Sequence, residues 1–219
     1  MKGLLENEMI NTIPDVMTDQ DNVLINGSFD PFANLMSMQA AKPSHWQSVN
    51  LRTLTPFQRA LLSIDGTVTK FIEAYTLEPI EIVRLRQEEQ QLVADHHWLT
   101  APLGTTVIAR QVLLRGKYSA ITYAYAVSLL LADRLPTDVI RGLDVEPAGL
   151  GRILLNSQLE NRREVLWYGR EQITDLPESI ESETGNDFIS RTYRIIVSEQ
   201  PLMLISEKFP VICPVNPET

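Results

Sequence analysis

Four runs of β-branched, aromatic and aliphatic residues, set in two close pairs, constrain this chain more than any other feature. Thr106–Arg115 and Tyr118–Leu130 flank Gly116-Lys117, a favourable two-residue hairpin turn. Phe188–Ser198 and Pro201–Phe209 meet in the same way about Glu199-Gln200. Turns this short leave no room for a crossover, so each pair must run antiparallel. Pro79–Gln87 adds a strand with Ile80, Ile82 and Arg84 on one face. Leu159–Arg170 alternates charged and apolar residues, as a strand with one wet face does.

Helical signals fall between the strands. Thr55 precedes Pro56 at a first helical position, and Gln58 completes a Thr-x-x-Gln capping box. Phe57, Ala60, Leu61 and Ile64 then recur at helical spacing. Asp65-Gly66 breaks that helix, and Thr67 can cap the next, Val68–Tyr75. Such a pair is either a plain core element or a flap over a pocket. Thr137–Leu143 reads as a short helix, and the turn from Pro147 to Arg152 opens another that runs to about Ser157. Residues 171–187 hold six acidic and no basic residues and read as a solvated loop. The sum is an α+β fold, an antiparallel sheet with helices packed on one side.

Composition excludes several functions. At 219 residues the chain can bury one sizeable core. With 19 basic against 28 acidic residues its net charge is −9, and no Lys/Arg run offers a footprint for nucleic acid. The longest apolar run, around Ala126–Ala132, is too short to span a bilayer, so no membrane insertion is expected. The N-terminus lacks a signal-like apolar stretch, and Cys213 stands alone. These features read as a soluble cytoplasmic protein. Residues 1–50 contain no Arg, two Lys and six acidic residues, and read as an N-terminal extension, partly mobile, with Phe32, Leu35, Met36 and Met38 as docking points. A domain over 51–212 and a tail over 213–219 complete the expected division.

No P-loop, G-x-G-x-x-G, G-x-S-x-G elbow or cysteine pair is present. Asp95-His96-His97-Trp98 reads as a surface turn, because adjacent histidines on a strand face opposite ways and make a poor metal site. Two charges break the strand pattern instead. Period-2 counting places Arg110 with Ile108, Val112 and Leu114, and Glu207 with Met203, Ile205 and Phe209. Both project among apolar side chains, where a charge is costly unless paired. They can pair with each other, or with Arg191, Arg194 or Glu164. Alternatively they line a pocket in which an arginine fork grips a ligand carboxylate and the acid meets the opposite, hydroxyl end.

Five segments in order carry a family resemblance: LTPFQRALLSIDGTVTKFIEAY from Leu54, ARQVLL at Ala109–Leu114, GLGRILL at Gly149–Leu155, RTYRI at Arg191–Ile195 and PLMLISEKFP at Pro201–Pro210. Over roughly Leu54–Pro210 the chain resembles the chorismate pyruvate-lyase (4-hydroxybenzoate synthase) family, in its longer, divergent branch. The stretch Ala124–Leu129 departs from that family's Ala-[Arg/His]-[Ser/Thr]-x-x-Pro pattern. The resemblance implies a fold with helical flaps over a buried ligand pocket and a lyase needing neither metal nor organic cofactor. Such an enzyme converts chorismate to 4-hydroxybenzoate and pyruvate, feeding quinone or phenolic-lipid synthesis. It further implies that Arg110 holds the ring carboxylate, that Glu207 meets the ring hydroxyl, and that backbone groups at Val68 and Leu150 contact the ligand. Chorismate is a dianion, so Arg152, Arg191 or Arg194 are candidates for its second carboxylate. The alternative is a non-catalytic binding module for small aromatic acids, built on the same fold.

Overall fold

The computed structural model describes Phe32, residues 35–145, 149–157 and 159–211. The expected tail 213–219 and residues 1–31 of the expected extension lie outside the described residues. Six strands form one antiparallel sheet: β1 (Ile80–Gln91), β2 (Thr106–Gly116), β3 (Thr122–Leu131), β4 (Arg162–Gln172), β5 (Asp187–Val197) and β6 (Gln200–Pro210), in the order β1-β2-β3-β6-β5-β4. The two meanders β1-β2-β3 and β4-β5-β6 join through β3 and β6 at the centre. Every residue of β3 is buried, and so is all of β6 except Gln200. A strand covered on both faces reads as a continuous apolar run, as TYAYAVSLLL does.

One face carries α1 (Pro56–Ser63), α2 (Val68–Thr76), α3 (Thr137–Val145) and α4 (Leu150–Asn156). Here Leu61, Leu62, Val68 and Ile72 pack on Val112, Leu114 and Ala126, while Val139, Leu143, Ile153 and Leu154 pack on Ile108, Leu130 and Ile205. The opposite face is not bare. Trp46, Leu92, Trp98 and Leu99 cover Val107, Ala109, Leu129 and Leu204. The stretch 171–187, expected as a solvated loop, instead extends β4 to Gln172 and forms α5 (Glu178–Thr184). Asp175, Glu178, Glu181 and Glu183 face water, while Glu171 is buried and accepts from Lys208 Nζ at 2.5 Å. Leu176 and Ile180 are buried against Tyr125, Val127 and Phe188, so two apolar anchors override the charge run.

The capping box at α1 forms as read: the Gln58 N–H donates to Thr55 Oγ1 at 3.2 Å, and the Thr55 N–H donates to Gln58 Oε1 at 3.0 Å. Thr67 stands at the N-cap of α2, but its side chain accepts no capping hydrogen bond. His96 is buried rather than on a surface turn, and its Nδ1 accepts from the Leu99 N–H at 3.2 Å. Both hairpin turns also differ from expectation. The first spans residues 117–121, because the Glu78 carboxylate gathers the Tyr118 and Ser119 N–H groups and the Ser119 hydroxyl into a wider loop. The second turns at Ser198-Glu199, with φ of 49° and 63°.

The sheet's two edges are managed differently. Along β4, the Ser37 and Met38 N–H groups donate to the Val165 and Leu166 carbonyls, both at 2.9 Å, and Gln47 exchanges backbone bonds with Arg170. The segment 37–47 therefore closes that edge, with Phe32 set edge-on to Tyr168 at 5.2 Å. β1 leaves its edge to solvent and carries Glu81, Arg84, Glu88 and Glu89 exposed, charges that discourage strand addition.

Left-handed backbone at two successive non-glycine residues costs about 1–2 kcal/mol per residue, and Asn-Gly suits this turn type. The S198N/E199G variant is expected to melt several degrees higher with the sheet unchanged. Calorimetry checks this; an unchanged or lower Tm contradicts it.

Candidate active site

Strand register assembles the site. Two neighbouring rows cross the helical face of the sheet: Arg110, Ser128, Ile205 and Tyr193 in one, and Val112, Ala126, Glu207 and Arg191 in the other. Ala126 and Ser128 are small, and the space they leave under the helices is a cavity of about 50 Å³. Gly66, Thr67 and Val68 roof it from the start of α2, and Gly149, Leu150 and Gly151 from the start of α4. The two helix ends touch: a Cβ on Gly151 would fall 2.7 Å from Thr67 Cγ2, so only glycine lets them meet. As first residues of their helices, Val68 and Leu150 have N–H groups without intrahelical acceptors.

Glu207 is held on both sides. Its Oε2 accepts from Arg191 Nε at 2.9 Å, and its Oε1 accepts from the Tyr193 hydroxyl at 3.1 Å. Arg191 is 1% exposed and also donates to the Leu62 carbonyl at 3.3 Å and the Ile64 carbonyl at 2.7 Å. One guanidinium thus ties the cavity floor to the end of α1 and the turn leading into α2. Burial, then the Glu207 charge, push the Tyr193 phenol well above its ordinary range, so it stays a donor.

Arg110 is the opposite case. It is 2% exposed, its Nε has no hydrogen-bond partner, and it makes no ion pair among the described residues. Burial, then the charge of Arg84, push its guanidinium down to about 10. Of the two sequence-level alternatives, Glu207 takes the pairing with Arg191, and Arg110 is left facing the cavity uncompensated.

The structure brings together Arg110, Glu207, Val68 and Leu150 around one cavity. It does not bring the three arginines considered for a second carboxylate to the cavity wall. Arg191 is spent on Glu207 and the α1 carbonyls. Arg152 is exposed on α4. Arg194 points to the other face, where it donates to Glu164 Oε2 at 2.7 Å and to the Trp98 carbonyl at 3.1 Å. Arg163, Tyr193 and Ser128 line the cavity and were missed. Tyr193 was within reach of the sequence, two residues after Arg191; Arg163 was masked by a bulge between Val165 and Trp167 that breaks strand parity. Within the divergent stretch Ala124–Leu129, Tyr125 and Leu129 belong to the opposite face, and Ala126 and Ser128 to the cavity.

Fold and cavity together define a chorismate lyase-like α+β domain. The effector domain of PhnF from Mycobacterium smegmatis shares the architecture, with a TM-score of 0.51 at 10% identity over 66% of this chain and 88% of that one. The family model described as chorismate pyruvate-lyase Rv2949c-like matches residues 62–214, and the chain belongs to that family. The chorismate pyruvate-lyase of Mycobacterium tuberculosis (strain H37Rv) is 26% identical over 168 residues, covering 73% of this chain and 82% of the relative. That of Mycobacterium leprae is 27% identical over 165 residues, covering 73% and 76%. No helix among the described residues is long and apolar enough to cross a membrane.

Two variants separate the roles of the charges. Removing an uncompensated buried cation relieves a desolvation cost, so Arg110→Met is expected to raise Tm, by about 2–4 °C per kcal/mol relieved. Glu207→Ala strands Arg191 and is expected to cost about 3–5 kcal/mol, only part of it recovered in Glu207→Ala/Arg191→Met, which leaves the Leu62 and Ile64 carbonyls without their donor. Denaturant titration of the four proteins checks both; a stabilising Glu207→Ala would contradict the pairing.

Proposed function

We propose that this protein is a chorismate lyase, which converts chorismate to 4-hydroxybenzoate and pyruvate. The observation that supports this most is the unpaired, buried Arg110 guanidinium across the cavity from a Glu207 carboxylate held by Arg191 and Tyr193. A planar fork suits a ring carboxylate, and burial strengthens the contact. The Val68 and Leu150 N–H groups, at the positive ends of their helices, are suited to the same anionic ligand. At the far end, Glu207 has lone pairs left to accept the ring hydroxyl, which fixes the ring's orientation.

The reaction is a redox-neutral elimination. The ether C–O bond between ring and enolpyruvyl group breaks, and the ring carbon bearing the hydroxyl loses its proton. That proton is accounted for on the methylene carbon of the released enolpyruvate, which becomes the methyl group of pyruvate, while the ring becomes aromatic. Aromatisation supplies the driving force, so the protein's task is to position a dianion and exclude water. A cavity of about 50 Å³ admits a few waters, whereas small-molecule pockets typically measure about 300–1,000 Å³. Ligand exchange therefore requires the starts of α2 and α4 to separate, and that step is placed to limit turnover.

Purified protein mixed with chorismate is expected to form 4-hydroxybenzoate, followed by its absorbance. Arg110→Ala should lower kcat/KM by at least about 100-fold, in line with loss of a charge-assisted bidentate contact worth ~3 kcal/mol. Glu207→Gln, which keeps the side-chain shape, should lower kcat more than it raises KM. If product never exceeds the spontaneous rate while 4-hydroxybenzoate still raises Tm, the protein is a binding module rather than a lyase.

A further inference from the structure

We infer that Arg163 is a second anion-recognising residue of this cavity, and that with Arg110 it selects a ligand carrying two carboxylates over one carrying a single carboxylate. The inference rests on the lyase reading for the identity of the ligand, but its geometry stands apart from it. Arg163 lies on β4, two residues before Val165, and lines the same cavity as Arg110, Tyr193 and Glu207. Its Nε is buried without a hydrogen-bond partner, as is that of Arg110, and neither arginine makes an ion pair among the described residues. Other arginines around the sheet are committed. Arg191 pairs with Glu207, Arg194 with Glu164 and Arg170 with Asp187, and Arg134 donates to the carbonyls of Leu99, Thr100 and Pro201.

Strand order explains how two like charges share one cavity. β2 and β4 are separated by β3, β6 and β5, so their backbones lie roughly 19 Å apart at ~4.8 Å per strand. The two long side chains therefore approach the cavity from its two ends, on the same face of the sheet. Between them stand Ser128, Ile205 and Tyr193. The charge of Arg163 reaches that middle ground: burial and Glu207 push the Tyr193 phenol up, while Arg191 and, more weakly, Arg163 oppose the rise.

Charge balance points the same way. Arg191 and Glu207 cancel, which leaves the cavity with two excess positive charges in a chain of net charge −9. A monoanion satisfies one of them; a dianion satisfies both. In chorismate the second carboxylate belongs to the enolpyruvyl group that departs. Arg163 would thus meet the substrate and the leaving pyruvate, and hold nothing of the aromatic product. It is a specificity-determining residue whose ligand group leaves with the pyruvate.

The test uses the full chain, calorimetric titration and two stable probes, 4-hydroxybenzoate and 3-(carboxymethoxy)-4-hydroxybenzoate, which adds a second carboxylate on a short ether arm. The wild-type protein should bind the dicarboxylate at least about tenfold more tightly. Arg163→Met should erase that difference and leave the Kd for 4-hydroxybenzoate within about twofold, while Arg163→Lys restores part of it. Arg110→Met should weaken both probes. Where turnover is present, Arg163→Met should raise KM for chorismate about tenfold or more, with kcat little changed. Equal effects of Arg163→Met on both probes, or none on either, overturn the inference. Absence of turnover with the two-probe preference intact would instead sink the lyase reading and leave the role of Arg163 standing. Thermal melts of each variant guard against misfolding, and a melting temperature at or above wild type is expected for Arg163→Met, since an uncompensated charge is removed.

Discussion

Arg191 spends its guanidinium on both sides of the cavity, and the rest of the site follows from that commitment. Through Nε it holds the Glu207 carboxylate on the central sheet; through a terminal nitrogen it holds the carbonyls that end α1 and open the turn to α2. Carbonyls at a helix C-terminus have no intrahelical donors, and a buried carboxylate needs a counter-charge. One buried side chain meets both needs. The α1–α2 pair is thereby anchored at its root, directly over the floor, while the N-terminus of α2 stays free to face the ligand.

With that pair closed, the remaining charges become meaningful. Arg110 is buried without compensation, which costs stability and would be removed in a protein optimised only to fold. Its retention beside two small residues, Ala126 and Ser128, marks a place where the core is left incomplete for something else to fill. Under the proposed function, an anionic ligand would supply the missing counter-charge and the missing volume together. Under that proposal, chorismate would present its carboxylates to the arginines and its hydroxyl to Glu207.

The cavity's small size and its roof of two touching helix ends give the same conclusion from the side of access. Gly151 against Thr67 allows the two ends to meet with nothing between them. The root of the pair is pinned at Ile64 by Arg191, while the tips at Val68 and Leu150 meet over the cavity.

Much of this was legible along the chain. Periodicity identified the strands, the capping box marked the start of α1, and strand parity turned Arg110 and Glu207 inward before any geometry was known, because side chains alternate with a period of two whatever the neighbours are. Local rules failed where a distant group decided the outcome. Glu78 widened the first hairpin, buried anchors at Leu176 and Ile180 made a helix from an acidic stretch, and a bulge in β4 hid Arg163. Which arginine pairs with Glu207 and which stays free could not be read locally either, since Arg110, Arg163, Arg191 and Arg194 all sit on strands. That choice depends on which strands lie side by side. Strand order is a property of the whole sheet, set by how two meanders join at β3 and β6, and no window of sequence contains it.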